Sequence, residues 1–552
     1  MNKTDCGRSL PRKLGMILAV LPLISAAETP DDAVSVEIGR QIYMDGMLPS
    51  GEPMVGKVSG DVEISGDFVI CGKCHRRSGL GSIEGTNVVP VVAGSLLFED
   101  LALPTSRPPA PPVLRPAYTR DTLARSIRDG IGSAGNEFSA LMPRYELSDE
   151  AMDSLIDYMS SLSPGPAPGV TDSDIHFATI VTDGVPESSR KALMDVLQTF
   201  FEQKNTETRY ESKRAESGPW HKDWVFKPYR KWVLHTWELS GPSSGWADQL
   251  QSHYDQQPVF AVLNGIAGGS WQPIHDFCEK QRVPCLFPST NLPVVDESDF
   301  YSVYLSKGIS LEAGILAQHL RNLEQPRTRV VQVYRSGDPG GETAARSLQD
   351  ELERSVISFA LPGQQDEFRR VLDSRDDSSP TAVVAWLGTD DIESVVQIPE
   401  PGGEPRSLYL SGSLIADPGA LPDTVVRENT FIVYSTALPA NMPRLLARST
   451  GWFRAKRIYA TDEKTVQANA FFTLKVAGGA LTFIRGFFSR EYFLESIEHM
   501  IDNATYTSVY PHMSLAPEQR FVSKGGLIAR FEHSGSEKLV AVTDWVIPGF
   551  DR

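Results

Sequence analysis

The pentapeptide Cys71-Gly72-Lys73-Cys74-His75 is the stretch on which the reading of the chain turns. Two thiols three positions apart can each add to a vinyl group of a haem, while the adjacent imidazole reaches the iron from the same side. C-x-x-C-H is therefore a pattern for covalent haem attachment. Two thiols and an imidazole can also begin a zinc site, but zinc needs a fourth ligand, usually from a second Cys or His cluster close by. Residues 76–175 contain neither Cys nor His. A second axial ligand for the iron should come from a later loop, and Leu141-Met142-Pro143-Arg144-Tyr145 puts a thioether just ahead of a final helical pattern. A Met opposite His raises the reduction potential and fills the sixth position, which favours electron transfer over oxygen chemistry. The alternative for Met142 is core packing, the ordinary use of Met. Met47, Met54, Met152 and Met159 are the competing thioethers, the last two within the helical pattern.

Taken together, residues 33–163 resemble a class I c-type cytochrome. The matching pieces are Gly39 and Tyr43 in an opening helix, CGKCH, Pro90 in VVPVVAG, SIRDGIGSAG at 126–135, LMPRY, and the closing SDEAMDSLIDYMSSL. The resemblance implies a small all-α domain around one covalent haem c. His75 and Met142 would be the iron's axial ligands, and the Pro90 carbonyl would accept from the His75 ring and fix its orientation. The sequence departs from that pattern in a Gly-rich and acidic insertion between Tyr43 and Cys71.

Residues 1–27 read as a secretory signal peptide. Lys3, Arg8, Arg12 and Lys13 form a positive n-region, LGMILAVLPLISAA a short apolar run, and Ser25-Ala26-Ala27 a small-residue cleavage site. An uncleaved anchor is the alternative; the run is short for a membrane span and is interrupted by Pro22. Export suits haem attachment, which the resemblance places outside the cytoplasm, so a bacterial periplasm is the expected compartment, with no transmembrane segment after cleavage. The chain has 552 residues, 41% hydrophobic and 22% charged, an ordinary composition for more than one globular core. Residues 1–27 carry a net +3, so the −17 of the whole chain becomes −20 in the mature protein. Such an acidic balance argues against nucleic acid or anionic lipid as partner. Cys6 leaves with the signal, and the remaining Cys278 and Cys285 lie seven apart. An oxidising compartment favours a disulfide between them over two free thiols, contributing roughly 2.5 kcal/mol on a loop-closure basis.

The Pro/Gly run Ser163-Pro164-Gly165-Pro166-Ala167-Pro168-Gly169 ends the helical pattern. The expected organisation is a cytochrome c domain over 28–163, a linker over 164–172 and a second domain over 173–552. Beyond the linker, strand-like runs (HFATIVTDG, VLHTWEL, PVFAVLNG, RVVQVYRSG, TAVVAWLG) alternate with helix-like ones (SSRKALMDVLQTFFEQ, WADQLQSHYDQ, WQPIHDFCEK, GGETAARSLQDELE). This is the signature of a parallel sheet covered on both faces, here in two lobes. The half is similar to type I periplasmic binding proteins, the solute-binding components of the branched-chain amino-acid transporter class. The stretches that carry this are PVFAVLNGIAGGSW at 258–271, VPCLFPSTNLP at 283–293, FYSVYLSKGISLEAGILAQHL and RVVQVYRSGDPGGETAARSL. The fusion as a whole resembles a bacterial group that joins a cytochrome c to a substrate-binding protein.

The resemblance implies a ligand cleft between the lobes, at the carboxyl ends of the strands. Gly268, Gly269 and Ser270 would open a helix there, whose unpaired amides suit an anion. Ser289 and Thr290 would supply hydroxyl and amide contacts, and Trp271 would wall the site. Alternatively, the glycines only permit a tight turn and Ser270 only caps the helix. Amino-acid-binding members place an acidic group after a later strand, where this chain has Leu408-Tyr409-Leu410-Ser411-Gly412-Ser413; Asp390 or Asp391 is the possible substitute.

Residues 205–232 interleave Arg209, Lys213, Arg214, Lys222, Lys227, Arg230 and Lys231 with Tyr210, Trp220, Trp224, Phe226, Tyr229 and Trp232. A solvated loop whose aromatics pack back on the sheet is the expectation; docking of an acidic surface is the alternative, and export argues against nucleic acid. No G-x-S-x-G, H-E-x-x-H or Walker-type loop occurs, and the His residues of this half show no ligand spacing. The expected function is that of a periplasmic single-electron carrier, not an enzyme, fused to a solute-binding-like module for a small molecule or a partner, with a redox partner protein implied. The alternatives are a ligand sensor with the haem as redox input, and an accessory subunit of a periplasmic dehydrogenase with a degenerate cleft.

Overall fold

The computed structural model describes residues 30–58, 62–84, 87–103, 113–163, 165–217, 230–294, 296, 298–323, 328–352, 355–373, 381–396, 406–415, 417–421, 427–459, 463–484, 487–503, 507–517, 519–533 and 535–549. The signal-peptide reading of 1–27 and the basic and aromatic residues at 218–229 lie outside them. The chain divides into two units, with Gly81–Leu162 and the residues up to His75 in the first, and Arg76–Leu80 with Ser163–Arg552 in the second.

The first unit is built on helices α1 (Pro30–Asp45), α2 (Cys71–His75), α3 (Gly94–Leu97), α4 (Arg120–Asp129) and α5 (Asp149–Ser161). Side-chain caps set the starts of the last two: Thr119 and Thr122 form a reciprocal box at α4, and the Ser148 hydroxyl accepts from the Ala151 amide at α5. α1 crosses α5 at Gly39, where a Cβ would stand 1.9 Å from the Ser154 carbonyl oxygen, so only glycine permits this approach. Tyr43 and Tyr158 close the crossing with ring centroids 5.2 Å apart. Met152 and Met159 are 2% and 5% exposed in this core.

An all-α fold was expected for this unit, and the structure corrects it. Strands β1 (Gly56–Val58) and β2 (Val62–Ile64) pair antiparallel within the insertion, and β1 also pairs with β7 (Arg144–Tyr145). Two further antiparallel ribbons join β3 (Ser82–Glu84) to β4 (Asn87–Val89), and β5 (Leu101–Leu103) to β6 (Val113–Arg115). The Gly and turn residues of the insertion disfavour helix, and Gly56 lets β1 lie close against Pro143 and Val69.

The second unit contains two sheets. The first lobe has β8 (Asp174–Thr182), α6 (Glu187–Ser217), β9 (Lys231–Leu239), α7 (Trp246–Gln256), β10 (Ala261–Leu263), α8 (Gln272–Lys280), β11 (Cys285–Leu286) and β12 (Ser302–Val303). Its strands are all parallel, in the order β12-β11-β10-β8-β9. The second lobe has α9 (Ile309–Arg321), β13 (Arg329–Arg335), α10 (Pro339–Glu351), β14 (Val356–Leu361), α11 (Gln365–Asp373), β15 (Thr381–Trp386), α12 (Thr389–Val396), β16 (Ser407–Ser411) and β17 (Thr430–Tyr434). The chain then returns to the first lobe through α13 (Met442–Leu445), α14 (Ala447–Ala455), α15 (Lys464–Phe483) and α16 (Arg490–Asn503), and ends in the second with β18 (Leu527–Phe531) and β19 (Leu539–Ala541). The second sheet, β14-β13-β15-β16-β17-β18-β19, is parallel except for its last two strands. Near-continuous apolar strands such as Val330–Val333 and Ala382–Trp386 are buried because helices cover both faces.

The lobes are joined by three neighbouring crossings. Tyr304 pairs with Phe521, the Ser523 amide donates to the Leu305 carbonyl at 2.7 Å, and the Ala437 amide to the Val509 carbonyl at 3.0 Å. The crossings at 304–306 and 435–438 leave the carboxyl ends of β12 and β17, so the carboxyl edges of both sheets meet on the hinge side. Arg490, at the start of α16, ties the first lobe together by donating to the carbonyls of Pro168, Val259, Gln281 and Arg282.

Residues 205–217, expected as loop, continue helix α6. Arg230 is buried, donates to the Thr171 carbonyl and lies 4.3 Å over the Phe488 ring, while Trp232 is core. Among the described residues no helix is long and apolar enough to cross a membrane.

Candidate functional site

In the first unit, Cys71, Cys74 and His75 share the single turn of α2, with neither thiol in a disulfide and Cys74 exposed. The buried His75 has Nδ1 2.9 Å from the Pro90 carbonyl oxygen, which assigns the ring proton to Nδ1 and leaves Nε2 unprotonated in the neutral ring. Burial lowers the basicity of this imidazole, partly offset by the Pro90 contact, so the neutral, metal-binding form prevails. Burial also pushes the Cys71 thiol up to about 12. Met142 is half-buried; its amide donates to the Ser139 carbonyl at 3.1 Å and its own carbonyl accepts from Arg144. The Tyr145 phenol, three residues on, lies close enough to Cys71 and Cys74 for their charges to raise it further beyond the effect of burial. Tyr145 donates to the Val69 carbonyl at 2.9 Å, so the LMPRY segment and the thiols belong to one neighbourhood. Phe68, three residues before Cys71, and Leu141, next to Met142 in the chain, are 81% and 71% exposed. An imidazole with Nε2 left unprotonated, two thiols on one turn and exposed apolar side chains close in sequence fit a covalent haem.

In the second unit, the loops leaving β8, β10 and β11 share the carboxyl edge of the first sheet. The Gly268 amide donates to Thr182 Oγ1 at 2.8 Å, and the Gly241 amide to the Asp183 carboxylate at 2.9 Å. Gly268, Gly269 and Ser270 are exposed there, but they do not open a helix directly; α8 begins at Gln272, whose amide donates to Ser270 Oγ at 3.2 Å. Ser289 bridges Ile266, and Thr290 Oγ1 accepts from the Leu292 amide at 3.0 Å. Gly268–Ser270, Ser289 and Thr290 therefore lie along one edge. Trp271 does not wall an open site. It is 0% exposed, and its ring fits under Gly265, where a Cβ would meet it at 2.7 Å. An indole next to an exposed Gly-Gly-Ser turn was expected at the surface; packing against the sheet removes it from water instead.

On the second sheet's carboxyl edge, the acidic group is one that was not anticipated. Glu312, in the first turn of α9, is fully buried and accepts from Ser411 Oγ at 2.5 Å and Ser413 Oγ at 2.6 Å. Burial raises its pKa against the opposing pull of these hydrogen bonds. Asp391 pairs with Arg335 and is held below the usual carboxylate range by that contact. Cys278 and Cys285, expected as a disulfide, are free thiols at 0% exposure, packed side by side in the apolar core as small hydrophobes. Burial, and after it the contact with Cys285, raises the Cys278 thiol well above its ordinary value.

A third group was hidden by the scatter of the His residues. His275 and Glu279 on α8 meet Asp299 from the loop before β12, and the only trace of this in the sequence is a His and a Glu four apart in the helix-like WQPIHDFCEK.

No family model matches the chain, and no curated protein matches it. Solved structures with a similar fold include an ABC transporter substrate-binding protein from Sphaerobacter thermophilus, 14% identical over 68% of this chain and 98% of that one, with a TM-score of 0.47. A branched chain amino acid ABC transporter from Thermus thermophilus with bound valine is 11% identical, covering 68% and 98%, at 0.46. A fatty acid ABC transporter substrate-binding protein from Thermomonospora curvata is 17% identical, covering 69% and 95%, at 0.45. The two-lobed α/β architecture stands on the strand order and register of this chain.

Proposed function

We propose that the second unit is a solute-binding module that holds a small molecule between its lobes, and that the first unit carries one covalent haem c as a redox input, in a periplasmic protein that is not an enzyme. The observation that carries the binding reading is the hinge. Two of its three crossings leave the carboxyl ends of β12 and β17, so the loops of both sheets open toward a common crevice, where parallel α/β sheets bind ligands. Gly268, Gly269, Ser270, Ser289 and Thr290 would meet the ligand from the first lobe. Of the acidic groups of the second lobe, Glu312 is engaged by serines and Asp391 by Arg335, whereas Asp390 is exposed at the start of α12. The burial of Glu312 among serines and the pairing of Asp391 favour a small neutral or anionic molecule over an amino acid, whose ammonium would be left to Asp390.

The haem, when bound, supplies one-electron exchange. Cys71 and Cys74 would hold it by thioethers, His75 Nε2 would ligate its iron while Nδ1 stays on the Pro90 carbonyl, and Met142 would be the opposite ligand. Pro90 thus orients the imidazole. A second reading, a single-electron carrier serving a redox partner protein, is favoured by the exposure of Cys74, which would bring one edge of the group to the surface. Native mass spectrometry of protein purified from a periplasm, before and after denaturation, tests the main reading. A small molecule released at one per chain supports it; protein free of any ligand, and stabilised by none in a thermal-shift panel of neutral and anionic solutes, refutes it.

A further inference from the structure

We propose that His275, Glu279 and Asp299 form a divalent-metal site of the zinc class in the first lobe. His275 and Glu279 are one helical turn apart on α8, so their side chains leave the same face. The loop entering β12, the edge strand of the sheet, brings Asp299 to that face, with Oδ2 3.1 Å from His275 Nε2. One ligand atom from each of the three residues lies within 4.8 Å of the other two. His275 and Glu279 are held from behind. His275 Nδ1 is 2.8 Å from the Tyr304 hydroxyl; Glu279 Oε2 accepts from the Phe300 and Tyr301 amides at 3.0 and 3.1 Å, and Oε1 from the Ser302 amide at 2.7 Å. Oε1 keeps a second lone pair, and outer contacts of this kind orient metal ligands.

A separate observation points to an occupant. Ser302 is 1% exposed, yet its Oγ has no hydrogen-bond partner. The two-residue period of β12 puts Ser302 on the same face as Tyr304, whose hydroxyl reaches His275, so Ser302 Oγ is directed to the α8 side. A buried hydroxyl left unpaired is costly, and a water on an ion's open position would pair it. One imidazole and two carboxylates are a three-ligand set that leaves zinc its fourth position. These nitrogen and oxygen donors do not select a soft ion, and a divalent cation balances the two half-buried carboxylates held at one place.

The test uses the full chain, freed of metal by a chelator and titrated with Zn2+ against a competing chelator, with haem iron counted separately by mass spectrometry. One Zn2+ per chain and a higher melting temperature are expected. Asp299→Asn should weaken binding at least tenfold, and His275→Gln should abolish it. Tyr304→Phe, which keeps the ligands but frees the imidazole, should weaken it by about 10- to 100-fold. Should His275→Gln fail to fold, Asp299→Asn and Tyr304→Phe, checked by far-UV circular dichroism, decide the matter. Zinc uptake by wild type no greater than by folded Asp299→Asn overturns the proposal.

Discussion

Replacing Arg490 by Met would remove the group that holds the first lobe's linker, sheet and helix ends together. Its guanidinium donates to the carbonyls of Pro168 (3.2 Å), Val259 (2.6 Å), Gln281 (3.1 Å) and Arg282 (3.0 Å), and to the Tyr254 hydroxyl (3.0 Å), at 5% exposure. Methionine fills the space of the stem but leaves four carbonyls without this donor, each at a cost of about 1–3 kcal/mol where water does not reach. Relief from burying a cation offsets several kcal/mol of that. The net loss should be about 3–5 kcal/mol, comparable to breaking a buried ionic contact, or about 4–6 °C in melting temperature for a unit of this size. Lysine, with a single nitrogen, cannot span the four acceptors and should recover less than half. The assay is urea unfolding followed by circular dichroism. A loss below about 1 kcal/mol for Arg490→Met would refute the reasoning, because it would mean that these carbonyls find other partners without penalty.

Four further outcomes are expected. Glu312 binds its proton more tightly folded than unfolded, because burial raises its pKa; its contribution is full below the unfolded value of about 4.3 and is lost as pH rises through the folded value. Glu312→Gln should therefore flatten the fall in stability over that window, measured by denaturant midpoints at stepped pH. Gly265→Val places a branched side chain at φ +113° and against the Trp271 ring, and should cost about 1–3 kcal/mol in the same assay. Cys71→Ala with Cys74→Ala should make all haem extractable by acid-acetone, whereas wild type should retain its colour. Met142→His should lower the haem reduction potential in a redox titration, since a second imidazole replaces the thioether.

How much of this was legible depends on the range of the interactions involved. The CGKCH turn is wholly local, so its residue types and spacing announced it. The alternation of apolar strands with helix-like runs from HFATIVTDG onward was equally plain, and the Pro/Gly run at 163–169 coincides with the division after Leu162. Strands β1 and β7 were not legible, because the three residues Gly56–Val58 carry no period and become strand through pairing with Val62–Ile64 and Arg144–Tyr145. Trp271 was misread because an aromatic beside exposed glycines gives no sign of the slot that Gly265 leaves for it. The Glu312 and Asp299 contacts join segments far apart in the chain, and nothing local to SLEAG or DESDF marks them. The thiols of Cys278 and Cys285 were read from the redox compartment, whereas their place is set by the packing of α8 on β11.

The most direct measurement of the central claim is the rebinding of the molecule released from the native protein, by isothermal titration to wild type and to Ser289→Ala with Thr290→Ala. The account predicts one site per chain and at least tenfold weaker binding to the double variant, equivalent to about 1.4 kcal/mol. Equal affinity for both proteins, or no saturable binding to either, would contradict it.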